Sequence, residues 1–182
     1  MEVVLVRRVA RDVTSSPGAL VRFVQIGRGA LALTHRPKLK GLGPLRAAGA
    51  TDVVTLLTET EGAATIGDAV RASGLQWMWC PFAGAAVPSP DGDHELAAAI
   101  DIVAAAILNG GHVVVHCSAG IDRTGMFGYA LLRRLGLSSE AAREALASLR
   151  QVTAEGVGED RIAWGDRLAS VAGGVGDGNP RP

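Results

Sequence analysis

HVVVHCSAGIDRTG, from His112 to Gly125, decides how this chain folds. Val113–Val115 form a short apolar run that reads as a strand buried on both faces. A helical pattern follows over Thr124–Leu135, and its first half is apolar on most faces, so it is expected to be buried as well. Between the two lie one thiol, three small residues and a cation, Cys117 to Arg123. The junction of a buried strand and a buried helix is where open α/β sheets hold ligands.

Outward from this junction, strand-like runs occur at Val3–Val6, Val21–Ile26, Ala30–Thr34, Val53–Leu57, Leu75–Cys80 and His112–His116. Helical patterns cover Lys40–Ala48, Thr65–Ser73, Glu95–Leu108, Thr124–Leu135, Ser139–Leu149 and Glu159–Val171. Asn109–Gly111 and Gly136 end helices, and Ser138 or Ser139 caps the next one, with Glu140 at its positive end. Strands mixed with helices, then mostly helices, predict an α/β fold with a single central mixed or parallel sheet flanked by helices. One domain over residues 1–172 is expected, with 173–182 a disordered tail that has nothing to bury.

Eighteen Lys and Arg balance eighteen Asp and Glu, so the net charge is zero. A neutral chain does not suit nucleic acid as a main partner. No apolar run is long enough to span a bilayer, and the interrupted N-terminus does not read as a signal peptide. Cys80 and Cys117 are too few for a disulfide scaffold, which suggests a reducing cytoplasm. His35 and His112 lack ligand-spaced partners, so no metal and no cofactor are expected.

The loop itself has a definite chemistry. A backbone entering a helix turns its N–H groups toward the concave side, and Ser118, Ala119 and Gly120 are small enough to let it curl around a guest. Gly120 can take a positive φ there. The result is a nest of donors for a tetrahedral oxyanion, to which Arg123 adds a planar fork. The same donors favour the thiolate of a cysteine placed at their centre. Cys117 is then a nucleophile aimed at phosphorus, and a phosphocysteine intermediate splits one hard displacement into two easier ones. Thr124 can donate its hydroxyl to the sulfur, and His116 orients the loop through hydrogen bonds.

HCSAGIDRTG resembles the signature of cysteine-dependent tyrosine and dual-specificity phosphatases, His-Cys-x5-Arg-Thr/Ser-Gly, with His116, Cys117, Gly120, Arg123, Thr124 and Gly125 all in place. Leu45–Gly62, LRAAGATDVVTLLTETEG, is similar to the helix–strand segment that precedes the catalytic region in that family. The compact size favours a dual-specificity phosphatase-like fold. The resemblance implies a phosphomonoester hydrolase, with phosphate bound by Ser118, Ala119, Gly120, Ile121, Asp122 and Arg123, and inhibition by phosphate- or vanadate-like oxyanions.

The family also implies an aspartic acid upstream that protonates the leaving oxygen, a transfer worth about 10²–10⁴ in rate. In CPFAGAAVPSPDGDHE, Cys80 to Glu95, Gly84 occupies that position. Asp122 is one replacement, as in the Asp-Arg-Thr loops of some lipid and bacterial phosphatases; its alternative is pairing with a cation. Asp91 is the other, carried back on a Pro-Asp-Gly turn; its alternative, like that of Asp93, is an ordinary turn and helix start. Cys80 reads as a buried structural thiol, or as a disulfide partner of Cys117. Trp77, Trp79 and Trp164 read as packing residues, and Lys38 and Lys40 as a small cationic loop able to help hold an anion. Ile121 suggests an apolar rim suited to phosphotyrosine, whereas Asp122 points toward lipid phosphates. Phosphorylated proteins rank first as substrates and phosphoinositides or small phosphate esters second. A phosphate-binding pseudophosphatase and a two-cysteine redox enzyme are the rivals from other classes.

Overall fold

The structure is a computed structural model that describes residues 21–171. The expected strand at Val3–Val6 and the expected tail lie outside the described residues. The five strands are β1 (Val24–Ile26), β2 (Gly29–Thr34), β3 (Asp52–Thr55), β4 (Gln76–Trp79) and β5 (His112–His116). They form one sheet in the order β1-β2-β5-β3-β4. β2, β5, β3 and β4 run parallel, and the short β1 pairs antiparallel with β2.

The valine run takes the middle of this sheet. Val113, Val114 and Val115 are fully buried, as a strand covered on both faces requires. Thr34 of β2 and Thr55 of β3 both lie opposite His116, so three strands end at one level beside Cys117.

The helices are α1 (Leu42–Ala47), α2 (Ala63–Ala72), α3 (Asp93–Leu108), α4 (Asp122–Arg134), α5 (Ser139–Leu149), α6 (Gln151–Gly156) and α7 (Glu159–Ala169). α4 packs against α3, α5, α6 and α7, and every residue from Arg123 to Leu132 is buried. The predicted central helix is thus central, starting two residues early because Asp122 and Arg123 join its first turn. Ser138 caps α5, its hydroxyl accepting the Ala141 N–H at 3.2 Å. No periodic signal announced α6, which is too short to show one.

Two packing expectations part company. Trp164 is fully buried and meets Phe82 edge-on at 6.1 Å, and Phe82 meets Phe127 in the same way at 6.3 Å. Trp77 and Trp79, by contrast, sit on β4 at the sheet edge and stack on each other at 5.9 Å. Trp79 remains 44% exposed, since an edge strand has no further neighbour to cover it.

Candidate active site

Cys117 follows β5 directly and is 3% exposed. The loop curls back so that the Gly120 N–H donates to its Sγ at 3.2 Å. Gly120 has a φ of +74°, and a Cβ built there would meet the Thr34 carbonyl oxygen at 2.5 Å. No other residue suits both demands. Its own carbonyl accepts two donors from the α6 region, Arg150 Nη1 and Thr153 Oγ1, each at 2.6 Å. Gly125 matters for the same reason, since a Cβ there would lie 2.7 Å from Val157. On the opposite side the Arg36 N–H donates to the Ser118 carbonyl at 2.9 Å. The nest is therefore clamped from both flanks.

Arg123 is buried and grips Glu61 with two bonds of 2.7 Å, Nη1 to Oε2 and Nη2 to Oε1. Nη1 also reaches the Phe82 carbonyl at 3.3 Å and the Leu56 carbonyl at 3.5 Å. Those bonds occupy the Nη1 side of the fork. The edge formed by Nε–H and the second Nη2–H bonds no protein oxygen among the described residues, and it is the edge that can take two oxygens of one anion. The Glu61 bond first, and the charge of Cys117 after it, push the Arg123 pKa up. Glu61 is held down to about 2 by the Arg123 bond and then by the Thr58 N–H.

Glu61 was not among the expected site residues. Its position comes from a capping box in which Thr58 and Glu61 satisfy each other's backbone N–H, and the Thr-x-x-Glu spacing of "TETE" carries that signal.

His116 is fully buried. Trp77 Nε1–H donates to Thr55 Oγ1 at 2.9 Å, and Thr55 Oγ1 lies 2.9 Å from His116 Nε2. The Cys117 carbonyl, 3.1 Å from Nδ1, can only accept, which places the imidazole proton on Nδ1. Nε2 then accepts from the Thr55 hydroxyl, whose oxygen accepts from the indole. Burial, with the charges of Arg36 and Arg123 adding to it, lowers the His116 pKa to about 4 against the pull of the Cys117 carbonyl. His116 is neutral in the folded chain and bonds both Thr55 and the Cys117 carbonyl.

Two expectations, and two of the alternatives left open by the sequence, need correction. Thr124 Oγ1 is buried with no hydrogen-bond partner, so it does not donate to the sulfur here. Ile121 turns toward α6, and a Cβ on Gly156 would lie 2.5 Å from it, so it is not a free apolar rim. Cys80 is no partner for Cys117: it follows β4, with β3 between β4 and β5. Two strand spacings put the two Cα atoms about 9.6 Å apart, beyond the ~7 Å a disulfide tolerates. Burial also pushes the Cys80 thiol up to about 11, so it stays protonated. Asp91 sits exposed on the turn Pro90–Gly92 and makes no hydrogen bond to the loop. Its neighbour Asp93 is 5% exposed and packs structurally, accepting from Trp164 Nε1 at 3.2 Å and Arg167 Nε at 2.7 Å.

Asp122 opens α4 with a side chain 44% exposed, its Oδ1 3.7 Å from Arg161 Nη2. Arg161 Nε also donates to the Ala85 carbonyl at 2.7 Å, tying the Gly84–Ala85 bend to Asp122. Gly84 itself has open space where a Cβ would stand. Among the described residues, no helix is long and apolar enough to cross a membrane.

Comparison with known proteins fits this geometry. Solved structures similar to this chain include Tk-PTP in its active form, 25% identical over 79% of this chain and 92% of that one, TM-score 0.61. PTPMT1 is 20% identical over 81% and 93%, TM-score 0.60. TpbA of P. aeruginosa is 18% identical over 81% and 88%, TM-score 0.57. A search of curated proteins returns no match. The sequence model described as the tyrosine phosphatase family matches residues 40–152, a span that holds Glu61, Cys117 and Arg123. The chain belongs to the tyrosine phosphatase family and is a cysteine-based phosphatase.

Proposed function

We propose that this chain hydrolyses phosphate monoesters through Cys117, with phosphotyrosine or dual-specificity protein substrates first. Cys117 Sγ attacks phosphorus in line with the ester oxygen. The P–O bond breaks as the S–P bond forms, and Asp122 gives its proton to the departing oxygen. Water then attacks the phosphocysteine, Asp122 takes the water's proton, and inorganic phosphate leaves with the thiolate restored. The equatorial oxygens rest on the loop amides of Ser118 to Asp122 and on the free Nε/Nη2 edge of Arg123. His116 orients the loop. Phosphate- and vanadate-like oxyanions fill the same nest and inhibit. The reading includes one phosphatase domain, working where thiols stay reduced, as in the cytoplasm.

The observation that carries this reading is the Gly120 N–H bonded to Sγ at the start of α4, with an unoccupied edge of Arg123 beside it. Asp122 is preferred to Asp91 because it belongs to the loop that holds the phosphate. The fold alone does not rank the substrates, since TpbA has been solved with phosphotyrosine and PTPMT1 with PI(5)P. Ser118, Ala119 and Ile121 supply no cation for a second phosphate in the nest, which favours phosphotyrosine over a polyphosphorylated headgroup.

The test is the pH–rate profile on an aryl phosphate. Asp122→Asn is expected to lower kcat by about 10²-fold and to flatten the alkaline fall of the profile. Asp91→Asn is expected to behave as the parent. The opposite pattern would move the acid to Asp91.

A further inference from the structure

Beside the catalytic loop lies a second hollow of about 320 Å³. Its rim carries His35, Lys38 and Lys40, and Pro44, Leu45 and Ala48 line its apolar part. No carboxylate lines it among the described residues. Lys38 and Lys40 are exposed, and among the described residues neither pairs with a carboxylate.

The hollow is fastened to the site of chemistry. Its lining includes Val21 and Thr34, and Thr34 lies opposite His116 in the sheet. Arg36 is anchored twice, by its N–H on the Ser118 carbonyl at 2.9 Å and by Nη1 on the Glu61 carbonyl at 2.9 Å. A group seated in the hollow is therefore in fixed register with a phosphoryl group in the nest.

We propose that this hollow is a substrate subsite that takes an acidic residue next to an apolar one, flanking the phosphorylated residue of a protein substrate. The apolar part receives the aliphatic or aromatic side chain. Lys38 and Lys40, two residues apart on the rim, receive the carboxylate. A peptide advances about 3.3 Å per residue, so neighbouring positions of one chain reach both features. A protein substrate fits better than a lipid headgroup, because the cations line the hollow while the loop positions Ser118, Ala119 and Ile121 hold none. This inference deepens the reading of the chain as a protein phosphatase and rests on it.

The experiment compares KM for three phosphotyrosyl peptides that differ only in the flank: Asp-Leu, Ser-Ser and Lys-Leu. 4-Nitrophenyl phosphate serves as a substrate too small to reach the hollow. The Asp-Leu flank is expected to lower KM by about fivefold against Ser-Ser at low salt, and the gain is expected to shrink as salt screens the rim. Lys38→Glu with Lys40→Glu is expected to reverse the order of the Asp-Leu and Lys-Leu peptides while 4-nitrophenyl phosphate turnover stays unchanged. Ala48→Phe, which fills the hollow, is expected to erase the apolar gain, with its melting temperature checked to exclude misfolding. Equal KM values for the three flanks, or a flank preference that survives the double charge reversal, would overturn the subsite alone. Hydrolysis of the small ester with no peptide turned over would overturn the protein-substrate reading and the subsite together. Charge reversal that weakens only hydrolysis of PI(5)P in anionic vesicles would give the hollow to lipid instead.

Discussion

The loop from His116 to Arg123 and the loop from Pro81 to Gly92 face the same catalytic problem, and they are built in opposite ways. The first is held at nearly every point: Sγ by an amide, the Gly120 carbonyl by two donors, Arg123 by a carboxylate and Ser118 by a neighbouring strand end. The second is held at scattered points, by the buried Phe82 ring and by Arg123, Arg161 and Arg167 on the carbonyls of Phe82, Ala85 and Pro88, with open space around Gly84 between them. An attacking sulfur and its oxyanion cradle lose rate steeply when displaced, so they need rigid support. A proton donor needs only to be within reach of the leaving oxygen. On the proposed assignment, that difference lets the acid leave the looser loop and sit at Asp122 on the rigid one.

The comparison breaks most visibly at the sulfur. Cys117→Ser is expected to lower kcat by at least ~10⁴-fold while vanadate still binds, because the amide nest and Arg123 remain. Loss of both turnover and vanadate binding, followed by titration calorimetry, would mean that the loop is not preformed.

A second cut removes support without touching the reacting atoms. Glu61→Gln keeps the shape of the Arg123 partner and removes its charge. It is expected to lower kcat/KM by about tenfold on an aryl phosphate. Thr153→Val removes one of the two donors on the Gly120 carbonyl. It is expected to cost about 1 kcal/mol in denaturant unfolding and a few-fold in kcat. Gly84→Ala, on the looser loop, is expected to cost stability because Gly84 holds a φ of +152°, yet to change kcat less than twofold, since nothing stands where its Cβ would go. A larger loss of kcat from Gly84→Ala than from Thr153→Val would reverse the contrast between the loops.

A finer probe is the hydrogen-bonded row from Trp77 through Thr55 and His116 to the Cys117 carbonyl. Trp77→Phe keeps most of the aromatic surface and removes only the N–H. A two- to threefold fall in kcat is expected, as polarisation along such a row adds modestly to each bond. Thr55→Val, which leaves Nε2 without a partner, is expected to lose more.

The last effect is gradual. His116 has its pKa lowered from 6.5 to about 4 in the folded chain. The unfolded chain then binds the extra proton first as pH drops. The stability contributed by neutral His116 is whole above pH ~6.5 and is lost as pH falls through 4, by about 3 kcal/mol at most. Glu61, lowered from 4.5 to about 2, adds a further loss below pH ~4.5. Denaturant midpoints at pH 7, 5.5 and 4.5 check this, and His116→Asn is expected to flatten the upper part of the curve.

Local chemistry made much of this readable in one dimension. A valine run between turn signals has few places to go but a buried strand, and Cys117, Gly120 and Arg123 act through backbone amides and a helix start that lie within seven residues of one another. Ser138, Gly136 and the order of strands and helices were legible for the same reason. Glu61 was half legible: the capping box is local, but its grip on Arg123 spans 62 residues. The clamp of Arg150 and Thr153 on Gly120, the Trp77–Thr55 row and the turn of Ile121 toward α6 exist only because β3, β4, β5 and α6 come together at one register. Cys80 shows the same limit in reverse, as a plausible redox partner by composition that one intervening strand removes. Nucleophile, cradle and cation follow from neighbours along the chain, because short-range geometry leaves little freedom. Their supports, and the hollow beside them, follow from contacts between distant segments, because strand register and helix packing alone decide which side chains meet.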